Sequence, residues 1–210
     1  MKSLIYIGDP MCSWCWGMAP ELEQVADFCE HRELEFQIKV GGLRPGGGDL
    51  WDEKMKDFLR HHWDQVHAAT GQPFSFKLLE LPTFNYDTEP ACRLVVAARK
   101  WLGQGNIQWF KQLQKTFYVD SLDLGDISNI RTICRQFDID FQEFNDHFQS
   151  EEIVQATKDD FIETREWGIN GYPSLVIKDQ HQLTGISYGY STFQKIRERL
   201  EHYLSANSTV

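Results

Sequence analysis

Two cysteines follow a short apolar run and open a helical pattern, and this arrangement constrains the chain more than any other feature. The apolar run is Leu4–Ile7, and the cysteines are Cys12 and Cys15. A short, nearly continuous apolar run is typical of a central strand that is covered on both faces. From Ser13 to about Cys29 the apolar residues recur at a spacing of about 3.6 residues, which predicts a helix. The sequence pattern therefore predicts a strand, a tight connection and a helix that begins at the cysteine pair.

The position of each cysteine in this pattern predicts a different chemical role. Cys12 would lie at the helix start, where free backbone N–H groups and the positive end of the helix dipole stabilise a thiolate. Cys15 is one turn further on and belongs to the buried stripe of the helix. We therefore predict redox catalysis, with Cys12 as an exposed attacking nucleophile and Cys15 as a shielded resolving thiol.

Three other interpretations of the cysteine pair remain open. The thiols could be structural, they could form a permanent disulfide, or they could bind zinc. A zinc site needs two further ligands, and the sequence has no second CxxC and no suitably placed histidine pair. His61, His62 and His67 are the nearest candidates, but we expect them to be solvated helix residues. The sequence predicts no metal site.

Composition narrows the classes of partner and compartment. The formal net charge is −10, with 31 acidic and 21 basic residues, which argues against binding of nucleic acid. No apolar segment is long enough to cross a membrane, and the N-terminal run is too short for a signal peptide. Five cysteines in 210 residues leave at least one thiol unpaired, so a reducing, cytoplasmic location fits best. Cys29, Cys92 and Cys134 are expected to be buried core thiols.

The residues that follow the cysteines complete a strand–helix–strand unit. Pro20 has no N–H and should kink the helix after its first turn. Leu34–Val40 alternates apolar and polar residues, which predicts a half-buried strand at a sheet edge. The glycine-rich stretch Gly41–Gly48 lacks the Lys-Ser/Thr pair of a P-loop and any GxGxxG pattern, so a plain connector is expected.

The middle of the chain is mainly helical. Helices are predicted over about Leu50–Ala69, Glu89–Leu102, Ile107–Tyr118, Ile127–Phe137 and Asp140–His147. Because this block contains no clear strand signal, we interpret residues 49–149 as an inserted helical domain between residues 1–48 and 150–210.

Strand signals return in the last part of the chain. The predicted order is helix Glu151–Trp167 closed by Gly168, a turn over Asn170–Pro173, strand Ser174–Ile177, a turn over Lys178–His181, a weaker strand Gln182–Tyr188, helix Thr192–Leu204 and frayed residues Ser205–Val210. The two strands are expected to form a hairpin.

Two motifs give the chain a family resemblance. Cys12-Ser13-Trp14-Cys15 after a strand, with Pro20 five residues beyond the second cysteine, resembles the thioredoxin superfamily, and the large helical insertion resembles its DsbA branch. Residues 9–17 are similar to FrnE-like (DsbA-like thioredoxin domain) members, and residues 166–177 resemble the second signature of the family. The resemblance implies an α/β, thioredoxin-like fold, with βαβ and ββα halves around a mixed sheet and a large inserted helical domain.

The resemblance also implies roles for residues around the cysteines. Pro173 would follow a cis peptide bond from Tyr172 and face the cysteine pair, so that the preceding backbone binds an extended substrate; an ordinary turn is the alternative. Tyr172 replaces the Val or Thr usual at this position. Trp14 and Trp16 would form an apolar docking surface for substrate, or either could pack inward. Asp9 could cap the helix or tune a thiol, and capping is the simpler role.

The activity implied is that of a thiol–disulfide oxidoreductase or protein disulfide isomerase, acting on protein or peptide thiols and disulfides. No cofactor is implied beyond the redox-active cysteine pair, with glutathione as a candidate co-substrate. Two alternatives belong to other classes. One is a glutathione-dependent transferase or isomerase of the kappa or 2-hydroxychromene-2-carboxylate isomerase type. The other is a non-catalytic redox-sensing or chaperone-like binding module.

Overall fold

A four-stranded mixed sheet positions the cysteine pair. The computed structural model describes residues 2–180 and 182–207. The strands are β1 (Lys2–Gly8), β2 (Glu35–Val40), β3 (Ser174–Asp179) and β4 (Gln182–Tyr188), in the spatial order β2-β1-β3-β4. β1 is parallel to β2 and antiparallel to β3, and β3 is antiparallel to β4. The predicted βαβ and ββ units therefore meet at β1 in one sheet, as the thioredoxin-like fold requires.

β1 is the central strand that its apolar run predicts. Leu4 and Tyr6 belong to the larger hydrophobic core on one face of the sheet. Ile5 and Ile7 point to the opposite face, into a smaller cluster that includes Val176 of β3. Both faces of β1 are covered, which explains why its sequence is apolar without alternation.

Nine α-helices surround the sheet within the described residues. They are α1 (Ser13–Gly17), α2 (Ala19–His31), α3 (Glu53–Thr70), α4 (Glu89–Leu102), α5 (Ile107–Tyr118), α6 (Arg131–Gln136), α7 (Phe141–Phe148), α8 (Glu151–Glu166) and α9 (Phe193–Ala206). The bounds predicted for α4 and α5 agree with the structure. The helix predicted over residues 127–137 begins instead as a separate 3₁₀ turn, Ile127–Ile130, before α6.

The helix predicted from Ser13 to Cys29 is broken into two at Met18. Pro20 lies in the first turn of α2, where its missing N–H costs α2 nothing. The carbonyl oxygen of Trp16, which a residue with an N–H at position 20 would have bonded, accepts a hydrogen bond from Gln72 Nε2 at 3.0 Å. The predicted kink is thus confirmed as a full break. The hydrogen bond from Gln72 joins the first turn after the cysteines to the segment that follows α3.

β2 lies at the sheet edge, as its alternating sequence predicts, but neighbouring groups cover the edge. Ile38 N donates to the carbonyl of Gln104 at 2.9 Å, and Val40 N donates to Asp160 Oδ2 at 3.1 Å. The Asp160 carboxylate also binds Lys39 and Arg99. These contacts satisfy backbone groups that would otherwise be available for pairing with another strand, and they join α8 and α4 to β2.

The last part of the chain follows the predicted order. Gly168 takes a positive φ of 76° after α8, as expected of a helix-ending glycine, and the Tyr172–Pro173 bond is cis. The turn predicted between the hairpin strands includes His181, which lies outside the described residues, as do residues 208–210. Ser205 belongs to α9, so the prediction of a frayed end beginning there is wrong. None of the described helices is both long and apolar enough to cross a membrane.

Candidate active site

Cys12 and Cys15 lie together at the start of α1, directly after the central strand. Cys12 is the N-cap residue of α1, and its backbone N–H bonds to the carbonyl of Asp9 at 3.0 Å. Both cysteines are free thiols, and they approach to 3.5 Å. The prediction that Cys12 is exposed is wrong: it is only 6% exposed, because chain segments from other parts of the fold close over the helix start, while Cys15 is fully buried. Cys15 is nevertheless less accessible to solvent than Cys12, as the sequence predicts.

The two thiols have different surroundings. The Cys12 thiol donates to the carbonyl oxygen of Tyr172, with Sγ and O 3.7 Å apart. Cys15 faces the protein interior, where burial raises the pKa of its thiol well above the ordinary value and the adjacent Cys12 adds to the shift. Cys15 is therefore a neutral thiol in the reduced protein.

A small cavity of about 210 Å³ opens beside Cys12. Its wall is formed by the cysteine segment, the loop after β2, helix α3 and the residue before the cis-proline. The lining residues are Met11, Cys12, Ser13, Trp14, Leu43, Arg44, Phe58, Leu59, His62, Trp63, Tyr86 and Tyr172. We call this cavity the Cys12 pocket. It is mainly apolar, with Arg44 and His62 as its two basic side chains.

Tyr172 and Trp14 line the Cys12 pocket, as expected of residues that contact substrate. The Tyr172 hydroxyl donates to the carbonyl of Gly41 at 2.6 Å, and this bond fixes the ring across the loop after β2. Trp14 is half-buried, with its ring 5.9 Å from that of Tyr190. Pro173 is buried and is not among the residues that line the Cys12 pocket, and its carbonyl accepts from Gly189 N at 2.7 Å. The segment before the cis-proline thus faces Cys12 through the Tyr172 carbonyl.

Trp16 packs inward and does not line the Cys12 pocket. Its side chain is 4% exposed, and its ring stacks on Tyr118 with the centroids 6.3 Å apart. Its indole N–H donates to the carbonyl of Pro73 at 2.9 Å. The expectation that Trp16 contacts substrate is therefore corrected, since this residue joins α1 to the interior of the helical region.

Asp9 is fully buried, and it does not cap α1. One carboxylate oxygen accepts from Met11 N at 2.8 Å, and the other accepts from Leu43 N at 2.7 Å and from the Cys92 thiol at 3.3 Å. Burial raises the pKa of this carboxyl above its ordinary value, against the opposing effect of the hydrogen bonds from Leu43 and Thr88. The simpler predicted role, capping, is wrong, because Asp9 instead joins the cysteine segment to the loop after β2 and to α4.

Nine of the residues that line the Cys12 pocket were not predicted as site residues from the sequence, among them Leu43, Arg44, His62 and Tyr86. Leu43 and Arg44 belong to the glycine-rich stretch, which is therefore a wall of the pocket rather than a plain connector. The predicted strand–helix–strand unit could have located them, because it places the carboxyl ends of the parallel strands β1 and β2 side by side. In the structure Gly41 N donates to Gly8 O at 2.9 Å.

His62 is half-buried in the Cys12 pocket rather than solvated. Its Nδ1 lies 2.9 Å from the Phe58 carbonyl, which favours the tautomer that leaves Nε2 without a proton. The Tyr86 hydroxyl donates to the Met11 carbonyl at 2.6 Å. Neither role has a local sequence signal, because both depend on how α3 and the segment before α4 dock against the cysteines.

The three remaining cysteines are buried thiols, as predicted. Burial raises the pKa of Cys29 to about 12 and that of Cys134 to about 11. Cys92 differs from them, because its thiol is bonded to the buried Asp9 carboxylate. Among the described residues, no group of three or more His, Cys, Asp or Glu side chains is placed to hold a metal ion.

The fold and site together define a thioredoxin-like protein with a thiol pair at the first helix after the central strand. The model of the DSBA-like thioredoxin domain family matches residues 6–201. The chain therefore belongs to the DSBA-like thioredoxin domain family.

Solved structures agree with this assignment. A Nitrosomonas europaea protein, provisionally assigned as a protein disulfide isomerase, is 35% identical over 99% of both chains, with a TM-score of 0.90. The cytosolic disulfide reductase DsbM of Pseudomonas aeruginosa is 24% identical over 97% of this chain and 99% of its own, with a TM-score of 0.77, and it has also been solved with glutathione. A 2-hydroxychromene-2-carboxylate isomerase shares the fold at 11% identity over 97% of this chain and 93% of its own, with a TM-score of 0.61. No curated protein sequence matches the chain.

Proposed function

We propose that this protein is a thiol–disulfide oxidoreductase in which Cys12 attacks the substrate and Cys15 resolves the mixed disulfide. The observation that carries the proposal is the arrangement of two unequal thiols that approach to 3.5 Å at a helix start. Cys12 is at the pocket, where a substrate sulfur has access to it, and Cys15 is behind it, where no substrate reaches.

The reaction follows from this order. The Cys12 thiolate attacks one sulfur of a substrate disulfide, so that a Cys12–substrate disulfide forms and the other substrate sulfur leaves as a thiolate. Cys15 then loses its proton and attacks Cys12 Sγ, which releases the second substrate thiolate and forms the Cys12–Cys15 disulfide. Two electrons pass from the protein to the substrate, and two external thiols reverse the steps to restore the reduced pair.

The substrates we propose are protein or peptide disulfides, with glutathione as the thiol that restores the reduced pair. The Cys12 pocket is small and contains Arg44, whose guanidinium suits a compact thiol that carries carboxylates. The glutathione complex of the reductase DsbM supports the same choice. The cytosolic location of DsbM and the five free thiols of this chain support a reducing compartment such as the cytoplasm.

Three matched variants test the dithiol reaction. Cys12→Ser should abolish reduction of a model protein disulfide, and Cys15→Ser should accumulate a mixed disulfide that mass spectrometry detects at Cys12. Cys134→Ser, a buried thiol of α6 outside the site, should retain the activity of the unmodified protein. Full activity in Cys12→Ser would overturn the proposal. Glutathione conjugation or isomerisation that survives Cys15→Ala would assign the chain to the transferase or isomerase class instead.

A further inference from the structure

The helical region holds the cysteine turn (residues 12–15) by hydrogen bonds to the backbone on both sides of it. Tyr86, in the segment before α4, donates its hydroxyl hydrogen to the carbonyl oxygen of Met11 at 2.6 Å. Gln72, in the segment after α3, donates from Nε2 to the carbonyl oxygen of Trp16 at 3.0 Å. Met11 directly precedes the first cysteine and Trp16 directly follows the second. The two bonds therefore bracket the turn.

The bond from Tyr86 lies in the protein interior. Tyr86 is 3% exposed and Met11 is 1% exposed. The N–H of Met11 donates to Asp9 Oδ1 at 2.8 Å, and the N–H of Cys12 donates to the backbone carbonyl of Asp9 at 3.0 Å. The peptide unit that joins Met11 to Cys12 is thus bonded at its carbonyl by Tyr86 and at its N–H by Asp9. These bonds fix the orientation of the backbone that carries the Cys12 side chain.

The bond from Gln72 is reinforced by a second contact between the same two segments. The indole N–H of Trp16 donates to the carbonyl of Pro73 at 2.9 Å. The segment is itself fastened to α3, because the Gln72 N–H donates to Thr70 Oγ1 at 3.3 Å and His67 Nδ1 lies 2.8 Å from the Gln72 carbonyl oxygen. The backbone that follows the second cysteine is therefore tied to the C-terminal end of α3.

The placement of the two sulfurs matters most in the resolving step. A thiolate attacks a disulfide along the axis of the sulfur–sulfur bond, so Cys15, Cys12 and the substrate sulfur must lie nearly in line. When Cys12 attacks a free disulfide, the substrate can turn to meet it. In the resolving step the turn itself fixes both protein sulfurs, and a misplacement of about 1 Å can cost roughly a hundredfold in rate.

We propose that Tyr86 and Gln72 are positioning residues that hold the cysteine turn in the geometry of the resolving step. This inference rests on the dithiol reaction proposed above. Each residue acts through the backbone carbonyl of a neighbouring residue rather than through a cysteine. The helical region then contributes to the reaction by supporting the turn, in addition to forming part of the wall of the Cys12 pocket.

Tyr86→Phe and Gln72→Met each remove one donor with little change in side-chain shape. Thr157→Val is the control, because it removes a fully buried hydroxyl that donates to the Ile153 carbonyl at 2.8 Å in α8, outside the site. Urea unfolding gives the loss of stability in each variant. Rapid mixing of each reduced protein with a model disulfide, followed by acid quench and mass spectrometry, gives separate rates for formation and resolution of the mixed disulfide.

We expect Tyr86→Phe and Gln72→Met each to slow resolution by roughly tenfold or more, and formation by less than about threefold. Alkylation of Cys12 by iodoacetamide should be unchanged, because this small reagent needs no alignment with the second sulfur. Thr157→Val should leave all three rates unchanged at a similar loss of stability. Since the two bonds lie on opposite sides of the turn, either variant tests its own residue if the other does not fold.

The outcomes separate this inference from the proposed function. If the unmodified protein forms and resolves the mixed disulfide and a folded variant resolves it at the same rate, the role of the substituted residue is overturned and the dithiol reaction stands. Equal slowing in Thr157→Val would overturn both roles, since lost stability would then account for the effect. Equal slowing of formation and resolution would also overturn them, because it would indicate lost reactivity of Cys12 rather than lost alignment. If the unmodified protein never forms the mixed disulfide, the proposed function fails, and both roles fail with it.

Discussion

The Tyr172 hydroxyl and the Gly41 carbonyl oxygen are joined by a hydrogen bond of 2.6 Å across the active-site cleft. The Tyr172 ring covers Gly41 so closely that a Cβ atom at this glycine would collide with the ring. The same tyrosine presents its own carbonyl to the Cys12 thiol. The loop after β2 and the segment before the cis-proline therefore pack closely against each other. The Cys12 thiol is hydrogen-bonded to the second of these segments.

This fit makes Gly41→Ala a sensitive variant. The added methyl group should push the Tyr172 ring away, lower the free energy of unfolding by about 1–3 kcal/mol and reduce kcat/KM for disulfide reduction roughly tenfold or more. Gly171→Ala is the control, because nothing lies within 4 Å of a Cβ atom there. Urea unfolding and steady-state kinetics measure both effects, and equal values for the two variants would contradict the role assigned to Gly41.

The Asp160 carboxylate should contribute strongly to stability. It is buried and binds Lys39, Arg99 and the Val40 N–H, so Asp160→Ala leaves two partly buried cations without this partner. We expect a loss of about 3–5 kcal/mol in the free energy of unfolding. The exposed pair Lys100–Glu143 provides the control, and Glu143→Gln should cost no more than about 1 kcal/mol. Similar losses in the two variants, measured by urea unfolding, would contradict the assignment.

Asp9 should give stability a distinctive pH dependence. Burial raises its pKa in the folded protein above the ordinary value of 3.8, so between these two values the folded state binds more protons than the unfolded state. The free energy of unfolding must then fall as pH rises through that window. In Asp9→Asn this contribution is absent, so the unfolding free energy of the unmodified protein relative to the variant should decline over the same range. Parallel pH curves for the two proteins would contradict the raised pKa.

Arg44 should distinguish charged from uncharged small thiols. It lines the Cys12 pocket, where it packs against Tyr86 and pairs with Asp49. Arg44→Gln should raise KM for glutathione by roughly three- to tenfold. The effect is smaller than for a buried ion pair, because the guanidinium is partly solvated and already pairs with Asp49. KM for uncharged dithiothreitol should be unchanged. Lys54→Gln removes the same charge from a residue that lies outside the Cys12 pocket, and an equal effect there would indicate general electrostatics.

Local signals in the sequence determined most of the secondary structure. The side chains of Asn106, Asp140 and Ser150 each accept a hydrogen bond from the backbone N–H three residues on, and these N-caps fix where α5, α7 and α8 begin. Pro20 broke the first helix, and the apolar run of β1 indicated a strand covered on both faces. Each of these signals depends only on residues a few positions apart, so it can be recognised from the sequence alone.

Only the tertiary structure decided the exposure of the cysteines and the composition of the site. The sequence placed Cys12 at a helix start and Cys15 one turn further in, but an isolated helix start would be solvated. The burial of Cys12 depends on α3, the loop after β2 and Tyr172, which is 160 residues away in the chain. Whether such distant segments meet is set by the packing of the whole core, because close-packed interiors leave each side chain few positions. The cysteine motif was therefore readable from local spacing, whereas the pocket around it depended on the fold.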